Sequence, residues 1–266
     1  MCIRDSVMAV GIARKEDLIK SIARGFGNPI ILVGARTGRD GIHGATFASE
    51  DLEGDIEEKR PNVQIGDPFF GKLLIESIME AKDLDGLIGL QDLGAGGLST
   101  ALPEMAQKGG VGIKVDLSKV PTRTPNLTSY EILLSESQER MVLCVEKGRE
   151  DEFLGIFRKW GLESSVIGEV IEEKVFRVVW NDEVLTEIPL SALYDIGERE
   201  LKITLPEEPC PLSPDRIPEI PWKELLLRLL QSPNVGSRSF IYEQYDHTVQ
   251  ANTVLVPGMG DAAVIR

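Results

Sequence analysis

Two short stretches carry residue types that could do chemistry. The first is Gln91-Asp92-Leu93-Gly94-Ala95-Gly96-Gly97-Leu98-Ser99, where a carboxylate ends an apolar run and glycines lead into a helix-forming sequence. Glycines let a backbone approach a phosphate closely, and the helix that follows presents unpaired N–H groups and the positive end of its dipole. An aspartate at the carboxyl end of a strand also suits Mg2+, which takes one or two carboxylates and leaves its other positions to water and phosphate. The stretch lacks a Walker lysine and does not match GxGxxG. On these residues alone, a tight strand-to-helix turn with Asp92 as its cap is an equal reading. The second stretch is Glu136-Ser137-Gln138-Glu139-Arg140, a set of donors and acceptors able to read the hydroxyls and amides of a polar ligand. The same five residues also suit the solvated start of a strand. Gln64, just ahead of Gly66-Asp67-Pro68, offers an amide of the same kind. His43 and His247 are the only histidines, and neither lies in a nucleophile-elbow motif, so Ser-His-Asp catalysis is disfavoured. His247, within Tyr245-Asp246-His247, reads as a ligand contact or as a buried, hydrogen-bonded ring.

These residues need elements to hold them. Residues 7–13 read as a short buried strand, and residues 16–24 as a helix stopped at Gly25. A strand over 30–33 runs into the glycine-punctuated segment 34–44, a structured loop. Asp67 is placed to cap a helix with Pro68 at its first position, and Phe70, Leu73, Leu74, Ile78 and Ala81 share one face of it. Residues 87–90 form a strand that passes through the glycine loop into a helix ending near Gly109-Gly110. A strand over 141–145 precedes an amphipathic helix marked by Phe153, Ile156, Phe157 and Trp160. Residues 166–171, 175–180 and 184–188, separated by Glu172-Glu173-Lys174 and Asn181-Asp182, predict an antiparallel meander. The fold class is therefore α/β in the broad, α+β sense, with a sheet that is not purely parallel. Prolines at 206, 209, 211, 214, 218 and 221 exclude a helix interior or central strand and mark a linker. Beyond it, Trp222, Leu225, Leu226, Leu229 and Leu230 form a helical stripe, and 253–256 and 262–265 read as strands of a further unit. That unit is too short for an independent core and is expected to be truncated.

Composition limits the ligands. The chain has 266 residues, 42% hydrophobic and 27% charged, with a net charge of -14, so it is globular and its surface repels phosphate backbones. Generic nucleic-acid binding is excluded, and any anionic ligand needs a local pocket of N–H groups, metal or a few cations. Cys2, Cys144 and Cys210 have neither CxxC spacing nor an even count, which argues against a disulfide framework and a zinc site. The cysteine pattern makes a reducing cytoplasm the expected setting, and residues 7–13, too few for a membrane span and followed by no small-residue cleavage site, read as neither signal peptide nor anchor.

Five motifs occur together: VGARTGRDGIHGATFAS at 33–49, VQIGDPFFGKLL at 63–74, GLQDLGAGGLS at 89–99, LSESQERM at 134–141 and FIYEQYDHTV at 240–249. In this order they resemble the synthetase subunits of phosphoribosylformylglycinamidine synthases, within the aminoimidazole ribonucleotide synthetase-like superfamily. The resemblance runs from about residue 7 to the end. It implies a PurM-like C-terminal-type mixed sheet with packed helices, flanked by partial PurM-like N-terminal-type domains. In its terms, residues 1–28 are the tail of a first nucleotide-binding A domain and 29–204 a first B domain. Residues 205–220 are then the proline-rich linker, and 221–266 the truncated start of a second A domain.

The resemblance further implies a carbon–nitrogen ligase of purine biosynthesis, converting formylglycinamide ribonucleotide (FGAR) to its amidine with ATP and glutamine-derived ammonia through an iminophosphate. Gln64, Glu136, Ser137 and Gln138 are then substrate-binding residues, and Asp92 is a Mg2+ ligand. No catalytic residue is carried over, because the family's catalytic histidines and ATP-contacting tyrosine and lysine precede residue 1; the chain alone is expected to be inactive. Implied partners are FGAR, ATP, a glutaminase subunit (PurQ) and a small subunit (PurS), without nucleic acid or membrane. Another ATP-dependent enzyme of the superfamily, or a binding module that retains the fold, is the alternative.

Overall fold

The structure, a computed structural model, describes residues 12–42, 66–195, 197, 220–232, 234–237, 239–244, 247–248, 251–256, 258–260 and 264–265. The chain divides into two compact units, Met1–Arg199 and Glu200–Arg266.

The first unit is built on a seven-stranded mixed sheet. Its strands are β1 (Pro29–Gly34), β2 (Leu87–Asp92), β3 (Gly112–Asp116), β4 (Arg140–Val145), β5 (Glu163–Ile171), β6 (Val175–Trp180) and β7 (Glu183–Pro189), in spatial order β2-β4-β1-β5-β3-β6-β7. Neighbours run antiparallel except β3 and β6, which are parallel. Helices α1 (Pro68–Ala81), α2 (Leu98–Gly109), α3 (Ser129–Leu134), α4 (Glu150–Lys159) and α5 (Leu190–Tyr194) accompany it.

β1 and β4 read as unbroken apolar runs because both of their faces are covered. Ile30 and Leu32 of β1 join Val142 and Cys144 of β4 in a core capped by Leu98, Leu102 and Met105 of α2. Ile31 and Val33, with Leu143 and Val145, enter a second core with Leu74 of α1 and Phe153 and Phe157 of α4. Both phenylalanines are fully buried, each contributing about 1.5–3 kcal/mol. Asp67 caps α1 as expected, its Oδ1 accepting from Phe70 N–H at 3.0 Å with Pro68 next in sequence.

Two expectations fail. Residues 16–24 do not form a helix; a single 3-10 turn, Lys15–Asp17, gives way to chain without regular secondary structure. β2 is the outermost strand on its side, and this segment satisfies part of its free edge. Leu90 N–H donates to Lys20 O at 3.1 Å, while Ala23 N–H donates to Met105 O at 2.9 Å and Ala23 is fully buried. Long-range edge pairing outweighs a modest local helix propensity.

The predicted meander is also interrupted. β6 and β7 form a hairpin, but β3 lies between β5 and β6, antiparallel to the first and parallel to the second. Ile113 and Val115 of β3 are fully buried in the α2-side core, so insertion buries apolar surface that a plain three-strand meander would leave outside.

In the second unit, α6 (Trp222–Gln231) and α7 (Ser239–Tyr242) precede β8 (Thr253–Leu255) and β9 (Val264–Ile265), which pair antiparallel. His247 is exposed there, its carbonyl accepting from Thr253 Oγ1 at 2.7 Å, so the buried-ring reading does not hold. The proline-rich stretch up to residue 219, His43, Gln64, Tyr245 and Asp246 lie outside the described residues. No helix among the described residues is long and apolar enough to cross a membrane.

Candidate functional site

The strand order assembles the candidate residues. β4 lies between β2 and β1 and is antiparallel to both, so its amino end meets their carboxyl ends: Arg140 pairs with Gly34, and Met141 with Asp92. The turn leading into β4, residues 135–139, is thereby set between the loop after β1 and the glycine loop after β2.

Glu136 and Ser137 are both buried and face inward. Glu136 N–H donates to Asp40 O at 2.8 Å, and its Oε1 accepts from Gly96 N–H at 2.9 Å. An internal carboxylate thus occupies the glycine-loop amide that an anionic ligand would otherwise engage. Ser137 Oγ accepts from Gly38 N–H at 2.9 Å and donates to the Asp40 carboxylate, so its single proton is committed within the protein. Ser135 Oγ donates to Gly38 O at 2.7 Å. The backbones come very close: at Gly97 (φ +54) a Cβ would lie 2.1 Å from Ser135 O, and at Gly34 (φ +119) 2.1 Å from Glu139 O. Only glycine fits either place.

Beneath this turn lies Arg140, buried, with all three arms of its guanidinium engaged. Nε donates to Ser137 O at 2.8 Å, Nη2 to Ser135 O at 2.6 Å and Nη1 to Thr37 Oγ1 at 2.8 Å. Burial pushes its pKa down to about 10, against the pull of Asp40, and it remains charged at neutral pH. Asp40, also buried, pairs with Arg123 as well as accepting from Ser137. Every buried side-chain nitrogen and oxygen among the described residues has a partner. Nothing in local spacing signals Asp40 and Arg123 as a pair, since they are 83 positions apart.

Gln138 is the member of the triplet that reaches open space. Its Nε2 donates to Glu136 O at 3.2 Å, and it lines a cavity of about 400 Å3 with Arg36, Asp67, Phe70, Arg123 and Glu139. Glu139, at φ +54, closes one wall: its Oε1 accepts from Asp67 N–H at 3.0 Å, tying the turn to the start of α1, three residues beyond Gln64. A larger hollow, about 490 Å3, opens at the Pro29 end of β1 and shares no lining residue with this one.

Asp92 is exposed at the end of β2, with Oδ1 accepting from Gln91 Nε2 at 3.2 Å. No group of three or more His, Cys, Asp or Glu gathers around a metal-sized space among the described residues. One exposed carboxylate nevertheless suits Mg2+, which draws most of its ligands from water and phosphate oxygens.

Over 98% of its length the chain is 47% identical to a phosphoribosylformylglycinamidine synthase subunit PurL of a Synechococcus species, and 48% identical to that of Carboxydothermus hydrogenoformans. It spans 36% of the length of each of these relatives. Among solved structures, Thermotoga maritima PurL complexed with FGAR superposes with a TM-score of 0.74 at 39% identity, over 95% of this chain and 39% of that one. The same organism's PurL complexed with ATP gives 0.68 at 34% identity, over 96% of this chain and 37% of that one. Residues 25–181, which hold the sheet from before β1 through β6 and all three loops of the site, match the model of one domain family: the chain belongs to the AIR synthase related proteins, C-terminal domain.

Proposed function

We propose that the chain is the FGAR-holding part of a phosphoribosylformylglycinamidine synthase, a cytoplasmic carbon–nitrogen ligase of purine biosynthesis. The observation that carries this reading is identity of 47–48% over 98% of the chain to subunits of that name. In the reaction, ATP phosphorylates the amide oxygen of FGAR, ammonia displaces the phosphate, and the amidine forms with release of ADP. Phosphoryl transfer of this kind rests on positioning and charge neutralisation more than on covalent help from the protein.

In this reading Gln138 and Gln64 offer amide groups to the substrate's polar atoms. Glu136 and Ser137 belong to the same substrate-binding turn and hold it against both loops. Asp92 would hold Mg2+, whose chemistry is to screen the crowded phosphates of ATP and of the intermediate. Residues 29–204 act as the B domain, 1–28 and 221–266 as parts of flanking A domains, and 205–220 as the linker. A Thermotoga maritima structure described as PurLQS superposes with a TM-score of 0.70, which supports a glutaminase subunit (PurQ) and a small subunit (PurS) as partners.

The test is replacement. The chain is substituted for the matching third of the Carboxydothermus hydrogenoformans subunit, and ADP release is measured with FGAR, ATP and ammonia. FGAR-dependent ADP release is expected; a folded chimera with none, beside an active host subunit, overturns the reading.

A further inference from the structure

The three-way anchoring of one buried guanidinium is the feature that the substrate-binding reading leaves unused. We propose that Arg140 is a positioning residue for the substrate turn, holding residues 135–138 and the loop after β1 in one fixed arrangement. The inference rests on the functional reading above for its kinetic consequence, and on geometry alone for its structural one.

Ser135 O and Ser137 O both point at Arg140, and Thr37 Oγ1 closes the set at 2.8 Å. Two carbonyls two residues apart can converge on one group only if the chain between them is sharply turned, and the residue between them is Glu136. The planar fork of arginine supplies donors in fixed relative directions, whereas a lysine ammonium is a single point at the end of a flexible stem. Arg140 opens β4, and its own backbone is pinned by the pairing with Gly34. The fork is therefore referenced to the sheet, and through Ser137 O it fixes where Gln138 departs into the cavity. Thr37 extends the same reference to the neighbouring loop, since its N–H donates to Pro121 O at 2.8 Å and its carbonyl accepts from Arg123 N–H at 2.9 Å. A purely space-filling role would require none of these three directed bonds.

Two measurements test the proposal. Hydrogen exchange on the 266-residue chain reads the structural part: Arg140→Lys and Thr37→Val should speed exchange at residues 135–139 and 35–42 while leaving β1 and β4 protected. Kinetics in the chimeric subunit reads the functional part. Arg140→Lys should raise KM for FGAR on the order of 10- to 100-fold, the scale on which small displacements act, with KM for ATP little changed. Thr37→Val, which removes one bond and conserves shape, should raise it less and remains informative where Arg140→Lys does not fold. Unchanged exchange in both loops for Thr37→Val overturns the proposal. So does a loss of activity that follows the folded fraction alone, with KM for FGAR constant. FGAR turnover by the unmodified chimera judges the functional reading separately.

Discussion

Glu136 accepts a hydrogen bond at 2.9 Å from the backbone N–H of Gly96, 40 positions earlier in the chain, and does so from a site only 2% exposed. The bond ties the turn at residues 135–139 to the glycine loop that begins α2. Hydrogen bonds involving a charged partner contribute about 1.5–3 kcal/mol, so Glu136→Ala should destabilise the first unit by that amount. Glu136→Gln keeps an acceptor in place and should cost less. Urea unfolding midpoints of the two variants decide this; equal, negligible losses would show that the bond is dispensable.

Gly97 and Gly110 separate two costs of replacing glycine. Both have positive φ, but an alanine Cβ at Gly110 would meet nothing within 4 Å, while at Gly97 it would lie 2.1 Å from Ser135 O. Gly110→Ala should cost about 1–2 kcal/mol from the left-handed conformation alone. Gly97→Ala should cost about 3 kcal/mol or more, because the two loops must also part. Denaturation of both variants under one condition gives the comparison.

The α3 cap is an acid-sensitive feature. Thr128 and Glu131 form a reciprocal capping box, and Glu131 also accepts from Arg39 at 2.6 Å. The Arg39 bond, the Thr128 backbone bond and the Thr128 hydroxyl hold its pKa down at about 2, from an ordinary 4.5. A carboxylate depressed on folding adds stability that is complete above its unfolded pKa and is lost as pH falls toward its folded one. The stability difference between the parent and Glu131→Gln should therefore be constant above pH 5 and shrink between about 4.5 and 2. A difference independent of pH would assign the cap to hydrogen-bond geometry without charge.

Asp92 distinguishes a metal ligand from a turn residue. Asp92→Asn in the chimeric subunit should raise the Mg2+ concentration for half-maximal nucleotide binding on the order of tenfold, equivalent to about 1.4 kcal/mol. Thermal stability should stay unchanged, because Asp92 is exposed and, among the described residues, its side chain is held only by the bond from Gln91 Nε2 at 3.2 Å. Unaltered magnesium dependence would make it a turn residue only.

The local chemistry of the chain determined much of this. Asp67-Pro68 started α1, the apolar runs of β1 and β4 announced strands, and Phe153 and Phe157 marked the buried side of α4. The glycine loop at Asp92 and the Glu136-Ser137-Gln138 turn were legible as candidates because glycine and clustered polar groups restrict what a short segment can do. Their meeting was not legible. It follows from β4 taking the place between β2 and β1, and from β3 entering between β5 and β6, pairings of distant segments with no mark in local periodicity. The same nonlocal pairing drew this segment out of a helix, setting Lys20 on the edge of β2 and Ala23 against Met105 of α2. The sequence by itself determined which groups were available. The tertiary structure decided that Glu136 and Ser137 turn inward onto Gly96, Gly38 and Asp40, that Arg140 holds them, and that Gln138 reaches the cavity, because buried polar groups must find partners wherever the chain brings them.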